Sequence, residues 1–355
     1  MEIAPQRLRA QRLSGPGCAT PADVVRWFGA VQAQDYPGAL WALGLRSTDA
    51  TEASVEQALT DRAIVRTWPL RGTLHFVAPE DVRWMLTHFA PRTITRAALR
   101  FKQLELDERT LVRSAKVFVK ALEGGRQLTR PKLYALLERA GIPTAGNRGL
   151  HILWRCAHDG LICFGAREGK QHTFALLDEW LPRGKMLDRD EALTELARRY
   201  FASHGPATLA DFIWWSGLSA PDARTGVAFS GRTRRSALTM QPGSAPTSPG
   251  SARPMTKTKS PHVVLLPPYD EYTVAYRDRS AALDPKHAAA ARNGIFSPTI
   301  VLDGRIAGTW TRRIEPDAAA IALRPFTALT GATARAVAAA AARYGRFLGR
   351  PARSV

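Results

Sequence analysis

A capped-helix pattern that occurs twice constrains the fold of this chain more than any other feature. Thr20–Gly29 and Thr208–Gly217 agree at a Thr, an Ala, an Asp three residues after the Thr, two apolar positions, a Trp and a Gly. A Thr followed three residues later by an acid is a carboxylate form of the capping box that begins a helix. Each copy is predicted to be one helix with an apolar stripe, such as Val24, Phe28 and Val31 in the first copy.

A looser third copy begins at Thr129 and is followed by the signals of a winged helix-turn-helix. A tight turn is expected at Gly141–Pro143, a second helix at about Arg148–His158, and then strand LICF, tip GAREGK and strand QHTFAL. Helix, turn, helix and a two-stranded ribbon form this motif, and its second helix is the candidate DNA reader. The Thr208 copy predicts a similar helix pair, at about 208–216 and 219–229. The N-terminal part therefore reads as three winged-helix-like units.

The C-terminal part is predicted to be β-rich and to be separated from the helical part by a linker. Segment 242–261, PGSAPTSPGSARPMTKTKSP, offers nothing to bury, which is typical of a linker or a long loop. After it, VVLLPP is typical of a buried strand, and Asp303-Gly304 fits a two-residue turn between strands at 299–302 and 305–310. The Ala-rich end predicts a closing helix.

Charge and cysteine content narrow the class of protein. Lys and Arg exceed Asp and Glu by 50 to 31, a net charge of +19 that runs through the whole chain. Such an excess indicates a polyanionic partner, although evenly spread surface charge is the alternative interpretation. The three cysteines, without a CxxC pair, support neither a disulfide framework nor a zinc ribbon and suit a reducing cytosol. With no apolar run near ~20 residues and no signal-peptide pattern, secreted and membrane-embedded classes are excluded.

Gln32-Ala33-Gln34 is the first candidate for chemistry. If the Thr20 helix ends near Val31, the following segment is extended, and alternate residues such as Gln32 and Gln34 lie on one side of it. Pro37-Gly38 is a helix breaker, so the Thr20 helix is not expected to continue through this segment. Each carboxamide offers an acceptor and two donors and never ionises, which suits holding a water molecule or reading a base edge. The alternative is two polar residues where a helix ends.

Other polar groups have a weaker pattern. The segment Arg66–His75 has the alternation of a strand, on which Arg71 and His75 could face phosphate or one cavity, or His75 could be structural. His151, Cys156, His158 and Cys163 lack the spacing of zinc ligands and are interpreted as structural.

Asp270-Glu271 is a pair of neighbouring acids. Adjacent residues of a strand point to opposite faces, so we expect a structural acid rather than an acid/base couple. No Walker loop, HExxH, GxSxG or nucleotide-binding glycine fingerprint occurs in the sequence.

Four motifs in order carry a resemblance to a known family. They are VQAQDYPGALWALGLR, RTWPLRGTLHFVAPEDVRWML, LLPPYDEYTVAYRDRS and NGIFSPTIVLDGRIAGTW, and the likeness spans about residues 5–348. They resemble the AlkZ-like winged-helix DNA glycosylases, a bacterial helix-turn-helix family related to YcaQ that includes self-resistance proteins against DNA-alkylating antibiotics. The family fold that this implies is α+β: tandem winged helices followed by a β-barrel-like domain.

The resemblance and the patterns together predict six segments. These are 1–105, the first winged-helix unit with the Q-x-Q motif; 106–189, the second unit; 190–241, a third winged-helix-like unit; 242–261, the linker or loop; 262–330, the β-rich barrel-like domain; and 331–355, a helix and tail. The chain departs from the family at 242–261, which stands where the family continues its third unit with wing strands.

By resemblance, Gln32 and Gln34 match the family's Q-x-Q signature and are the expected catalytic residues. The implied activity is monofunctional hydrolysis of the N-glycosidic bond of N7-alkylated purines in duplex DNA, including the unhooking of interstrand crosslinks. An N7-alkylated guanine is cationic and leaves readily, so two neutral amides that position water and stabilise the developing oxocarbenium suffice. The residues expected to contact DNA are Arg71, His75, Arg148, Arg155, Arg167, Lys170, Gln171 and His172.

The expected partner is double-stranded DNA, bound by a monomer that needs no protein partner, no metal and no organic cofactor, in the cytoplasm and associated with the nucleoid. The alternative hypothesis is a non-catalytic winged-helix transcriptional regulator, which would normally bind spaced half-sites as a dimer. The Q-x-Q pair distinguishes the two, because a regulator has no need of it.

Overall fold

The computed structural model describes residues 2–232 and 260–354. Of the expected linker 242–261 only the last two residues fall within this range. The helices are α1 Ile3–Ala10, α2 Pro21–Phe28, α3 Tyr36–Gly44, α4 Glu52–Thr60, α5 Pro79–Arg96, α6 Ala98–Gln103, α7 Glu108–Leu122, α8 Arg130–Arg139, α9 Arg148–His158, α10 Leu177–Trp180, α11 Arg189–His204, α12 Leu209–Ser216, α13 Ala220–Arg232, α14 Glu271–Val274 and α15 Gly331–Phe347. The strands are β1 Ala30–Gln32, β2 Val65–Leu70, β3 Thr73–Val77, β4 Leu128–Thr129, β5 Ile162–Glu168, β6 Gln171–Leu176, β7 Val263–Leu266, β8 Thr299–Leu302, β9 Arg305–Ile314, β10 Ala319–Pro325 and β11 Ala352–Ser354.

The chain divides into two compact units. Unit 1 comprises the described residues of Met1–Glu56 and Leu193–Val355, and unit 2 is Gln57–Ala192. Among the described residues, no helix combines the length and the apolar character needed to cross a membrane.

The two capped helices of unit 1 form as the repeated pattern predicts. The Thr20 hydroxyl accepts from the Asp23 N–H at 3.1 Å, and the Asp23 carboxylate accepts from the Thr20 N–H at 3.1 Å. The Thr208 hydroxyl and Asp211 carboxylate repeat this exchange at the start of α12. These boxes satisfy N–H groups that a helix N-terminus otherwise leaves unpaired.

The first of these helices is shorter than expected. Gly29 has a φ of +81°, a left-handed value that is typical of the residue after a helix end, and α2 stops at Phe28. Val31 therefore lies on β1, and its assignment to the apolar stripe of the helix was wrong. The extended segment that begins at Ala30 ends at Gln32, and Gln34 lies in the bend that follows. The expectation that both glutamines lie on one side of an extended segment is therefore met only for its first residue.

The β-rich part of unit 1 is a five-stranded sheet, which curls into a half-barrel. Strands β7 to β10 pair antiparallel in chain order, and β11 adds to β10 in parallel. The predicted hairpin is confirmed: Asp303 and Gly304 have φ values of 48° and 89° between β8 and β9, as a type I′ turn requires. Trp41 of α3 and Trp310 of β9 each pack edge-on against Tyr344 of α15. The α+β class is confirmed.

Unit 2 contains the predicted helix pair followed by a hairpin. Helix α9 spans Arg148–His158 as predicted, and β5 and β6 follow it, with β4 pairing on the other edge of β6. One apolar core, which includes Phe118, Leu133, Ile152 and Phe174, joins α7, α8, α9 and this sheet. The segment expected as a single strand at 66–75 is instead the hairpin β2–β3, because Arg71 and Gly72 both take positive φ values and reverse the chain.

Candidate active site at the Q-x-Q segment

The Q-x-Q segment lies between β1 and α3 in unit 1, and its two glutamines have different environments. Gln32 ends β1 and is 8% exposed. Gln34 lies in the bend before α3 and is exposed. Gly38 lies in the first turn of α3, directly behind the bend. A Cβ at this position would lie 3.1 Å from Pro267 Cβ and 2.5 Å from the Asp35 carboxylate. The Pro267 contact is closer than side chains normally pack, so a glycine fits well where the LLPPYDEY segment crosses the start of this helix.

Hydrogen bonds hold Gln32 at both its backbone and its side chain. Its backbone N–H donates to Glu271 Oε1 at 2.7 Å. Its side-chain Oε1 accepts from the backbone N–H of Gln34 at 3.0 Å. Because the carbonyl end of the Gln32 carboxamide faces the Gln34 N–H, its NH₂ end points away from the Gln34 backbone.

Asp270 and Glu271, which were expected on opposite faces of one strand, lie instead at the start of a short helix. Asp270 caps the short helix α14, which begins at Glu271, and each carboxylate is 1% exposed. Arg46 donates to both Asp270 oxygens, at 2.7 and 2.8 Å, in a fully buried bidentate pair. The expected strand geometry was wrong because β7 ends at Leu266, and a turn with Tyr269 at a φ of +61° precedes the cap at Asp270.

Glu271 turns toward Gln32 and is surrounded by aromatic rings. Its Oε2 accepts from Trp215 Nε1–H at 3.0 Å and lies 3.3 Å from His204 Nε2. The His204 ring stacks on Tyr200 at a centroid distance of 4.6 Å. Burial lowers the pKa of His204 from its ordinary value, and the nearby Glu271 opposes that shift only in part.

The arrangement combines a fixed amide, Gln32, with an exposed amide, Gln34, on one short stretch of backbone. Two carboxamides in this position can hold a water molecule and present carbonyl dipoles without changing charge. The sequence pointed to both glutamines and to Glu271 as a structural acid. It did not show that Glu271 binds the Gln32 N–H, or that His204 and Trp215 contact Glu271. Trp215 belongs to the second capped helix, so its repeat position was visible, but its contact with Glu271 was not.

In unit 2, Arg71 and His75 come together at the hairpin β2–β3. His75 is fully buried, with Nδ1 2.9 Å from the Thr73 carbonyl and Nε2 3.3 Å from Arg71 Nη2. The structural interpretation of His75 fits this burial. Arg71 is only partly buried at the hairpin tip.

Arg148 and Arg155 lie on α9, and both have intramolecular partners. Arg148 donates to the carbonyls of Pro143, Leu104 and Glu105. Arg155 pairs with Asp159 at 2.9 Å and with Glu108 at 3.5 Å. Their guanidinium groups are therefore already engaged within unit 2.

The remaining four predicted DNA contacts lie on the hairpin β5–β6. Lys170 and Gln171 are exposed at its tip, and Arg167 faces His172 across the two strands. Burial, followed by the charges of Arg66, Arg167 and Arg130, lowers the pKa of His172 to about 4. Arg66 Nη1 lies 3.0 Å from His172 Nε2, so this ring is an uncharged neighbour of several arginines at neutral pH.

The His and Cys residues near α9 do not form a metal site in the described part of the chain. No group of three or more His, Cys, Asp or Glu that could hold a metal is found among those residues. Burial raises the pKa of the Cys156 and Cys163 thiols to about 12, so both are protonated.

Comparisons with known proteins agree with one another. The family model described as DNA glycosylase AlkZ-like matches residues 25–347. A curated relative from Streptomyces sahachiroi, an interstrand DNA cross-link repair glycosylase, is 26% identical over 333 residues, which cover 86% of this chain and 85% of the relative. The solved structure of Streptomyces sahachiroi DNA glycosylase AlkZ has the same fold, with a TM-score of 0.74 and 24% identity over 99% of this chain and 98% of that one. These findings do not favour a transcriptional regulator. The match to the family model over most of the chain shows that this protein belongs to the AlkZ-like DNA glycosylase family and is a DNA glycosylase.

Proposed function

We propose that this protein is a monofunctional glycosylase that hydrolyses the N-glycosidic bond of N7-alkylated purines in duplex DNA and unhooks interstrand crosslinks made through such bases. The observation that carries the proposal is the pair of amides at the end of β1, one fixed and one exposed. The activity named for the curated relative, interstrand DNA cross-link repair, supports crosslinks as a substrate.

Two amides are adequate for this leaving group. Alkylation at N7 makes the purine cationic, so departure of the base needs no strong general acid. What the site must supply is a positioned water and dipoles that favour the developing positive sugar. Gln34 is exposed and can reach a substrate, and Gln32 lies within hydrogen-bond reach of the Gln34 backbone. An undamaged base leaves far less readily, so a mild site of this kind discriminates for damage.

We propose further that unit 2 contains a winged helix and that its hairpin contacts DNA. The order α7, β4, α8, α9, β5, β6 is that of a winged helix-turn-helix, with β5–β6 as the wing. Exposed Lys170 and Gln171 at the hairpin tip are suited to phosphate and base-edge contacts. The tandem arrangement of three such units and the six-segment division of the chain remain part of this proposal.

Glutamine substitution tests the site. We expect Gln34→Ala and Gln32→Ala each to lower the single-turnover rate of base release by about 100-fold, the typical loss when one stabilising group is removed. Duplex affinity should stay near the wild-type value, because neither change removes a charge that binds phosphate. Base release from a duplex with N7-methylguanine is measured by mass spectrometry and by alkaline cleavage at the abasic site. Unhooking is measured on a crosslinked duplex.

A matched control separates chemistry from folding. Gln103→Ala removes an exposed glutamine at the end of α6 in unit 2 and should keep the wild-type rate. Wild-type rates in both Gln32 and Gln34 variants would show that the catalytic assignment is wrong. A wild-type protein that binds both duplexes but releases no base from either would refute the proposed substrate.

A further inference from the structure

We propose that Glu271 is a positioning residue of the reaction: its carboxylate sets the backbone of Gln32 and, through the Gln32 amide, the place of Gln34. This inference rests on the proposed function, since it assigns Glu271 a part in the same site. Two successive hydrogen bonds carry it. Glu271 Oε1 accepts the Gln32 N–H at 2.7 Å, and Gln32 Oε1 accepts the Gln34 N–H at 3.0 Å.

The first of these bonds is of the strong kind. A carboxylate that accepts a backbone N–H at 2.7 Å forms a charge-assisted bond. Glu271 is 1% exposed and Gln32 is 8% exposed, so water competes little for either group. β1 ends at Gln32, which is therefore held by Glu271 at the point where regular strand structure stops.

The other carboxylate oxygen fixes Glu271 itself. Trp215 Nε1–H donates to Oε2 at 3.0 Å, and His204 Nε2 lies 3.3 Å from the same atom. Ser203 Oγ lies 2.8 Å from His204 Nδ1. The Ser203 hydroxyl donates to the Arg199 carbonyl at 2.7 Å, and His204 Nδ1 also lies 3.2 Å from the Tyr200 carbonyl. Both ring nitrogens of His204 therefore have polar neighbours, which keep the ring beside Glu271.

In this arrangement both carboxylate oxygens of Glu271 must accept hydrogen bonds. In a glutamine, one oxygen would become an NH₂ group and face the N–H of Gln32 or of Trp215, donor against donor. The buried donor left without an acceptor carries its full desolvation cost. The geometry also argues against a general base, because both Glu271 oxygens are occupied and the side chain is almost wholly enclosed.

Glu271 acts on catalysis by fixing the positions of the two glutamines. Groups that orient an attacking water act within narrow limits, and an error of about 1 Å can cost about 100-fold in rate. A site supported by a fixed outer contact keeps its reacting groups in place. Loss of the Glu271 contact should therefore lower the rate of base release and leave duplex binding unchanged.

A double-mutant cycle tests the proposal. Glu271→Gln should reduce the single-turnover rate by about 30-fold to 100-fold with duplex affinity within about twofold of wild type. In the Gln32→Ala background the same change should lower the rate by no more than about threefold further, because alanine lacks the carboxamide that links residue 32 to the Gln34 N–H. Independent effects that multiply in the double variant would overturn the proposal, as would a wild-type rate in Glu271→Gln.

Controls keep the test separate from stability and from the proposed function. Trp310→Phe removes a buried hydrogen bond to the Leu266 carbonyl in the same unit and should lower the melting temperature without lowering the rate. If Glu271→Gln does not fold, Trp215→Phe removes one donor to the carboxylate and should give a smaller rate loss that is also non-multiplicative with Gln32→Ala. Absence of base release by the wild-type protein would refute the proposed function. A rate loss in Trp310→Phe as large as in Glu271→Gln would refute the positioning role.

Discussion

At the scale of single residues, Gln32 and Gln34 show that two identical side chains two residues apart can have different environments. The same side chain is buried and hydrogen-bonded at one position and exposed two residues later. The difference comes from the neighbours: Glu271 holds the first residue, and the bend before α3 exposes the second. The identity of a residue therefore limits what it can do, and its contacts decide which part it takes.

Burial of His158 leads to a prediction about acid stability. Burial lowers the pKa of His158 from 6.5 to about 4, and Nδ1 lies 2.8 Å from the Trp154 carbonyl. Above pH 6.5 the ring is neutral in the folded and the unfolded chain. Between pH 6.5 and about 4 only the unfolded chain takes up the proton, so the free energy of unfolding falls as the pH falls.

We expect His158→Phe to flatten this acid limb by up to about 1.4 kcal/mol per pH unit between pH 6 and 4.5. Urea unfolding at several pH values measures it, and the slopes are compared so that any constant loss of packing cancels. An unchanged slope in the variant would show that His158 does not stay neutral in the fold.

At the scale of elements, turn and cap chemistry decided where helices and strands begin. The Thr20 and Thr208 boxes and the Asp303-Gly304 turn are satisfied within a few residues, so their signals were visible in the sequence. The short helix at Glu271 was not visible, because its cap competes with a strand-like run of residues before it. Local signals of similar strength are resolved by what packs on them.

The hairpin β5–β6 leads to a prediction about DNA binding. Lys170 is exposed at its tip, so Lys170→Ala should weaken duplex binding about threefold to tenfold and reduce the slope of log affinity against log salt by about 1. Fluorescence anisotropy at several salt concentrations measures both. The control is Lys286→Ala, because the Lys286 ammonium pairs with Asp284 at 3.1 Å in the wild-type protein. An equal loss in both variants would indicate general charge attraction rather than a hairpin contact.

At the scale of the whole molecule, unit 1 is built from both ends of the chain. Arg46 from the first segment pairs with Asp270 from the last, and Gln11 accepts from the same guanidinium at 2.9 Å. Unit 2 is the stretch between these segments. Buried charges far apart in sequence thus tie the two segments of unit 1 together.

Asp270→Ala should destabilise the protein by about 3–5 kcal/mol, because it leaves the Arg46 guanidinium buried without its counter-charge. Urea unfolding of the full chain measures the loss. Asp317→Ala is the control: its partner Arg353 is 3.3 Å away and both side chains are largely exposed, so the cost should stay below about 1 kcal/mol. A loss in Asp270→Ala no larger than in this control would contradict the assigned role of the buried pair.

Local structure and the enzyme class follow from the amino-acid sequence alone. Capping boxes and turn residues act over a few residues, so α2, α12, the β8–β9 hairpin and the break in helical structure before Gln32 could be predicted. The ordered motifs were enough to identify the AlkZ-like family, to which the comparison with known proteins also assigns the chain.

Which distant groups surround these elements depends on the packing of the folded chain. Glu271 accepts the Gln32 N–H although the two residues are 239 positions apart, and Arg46 pairs with Asp270 across 224 positions. Such pairs leave no periodic or spacing signal, because they depend on how separate segments pack. Buried polar groups need partners, and packing selects them from the whole chain.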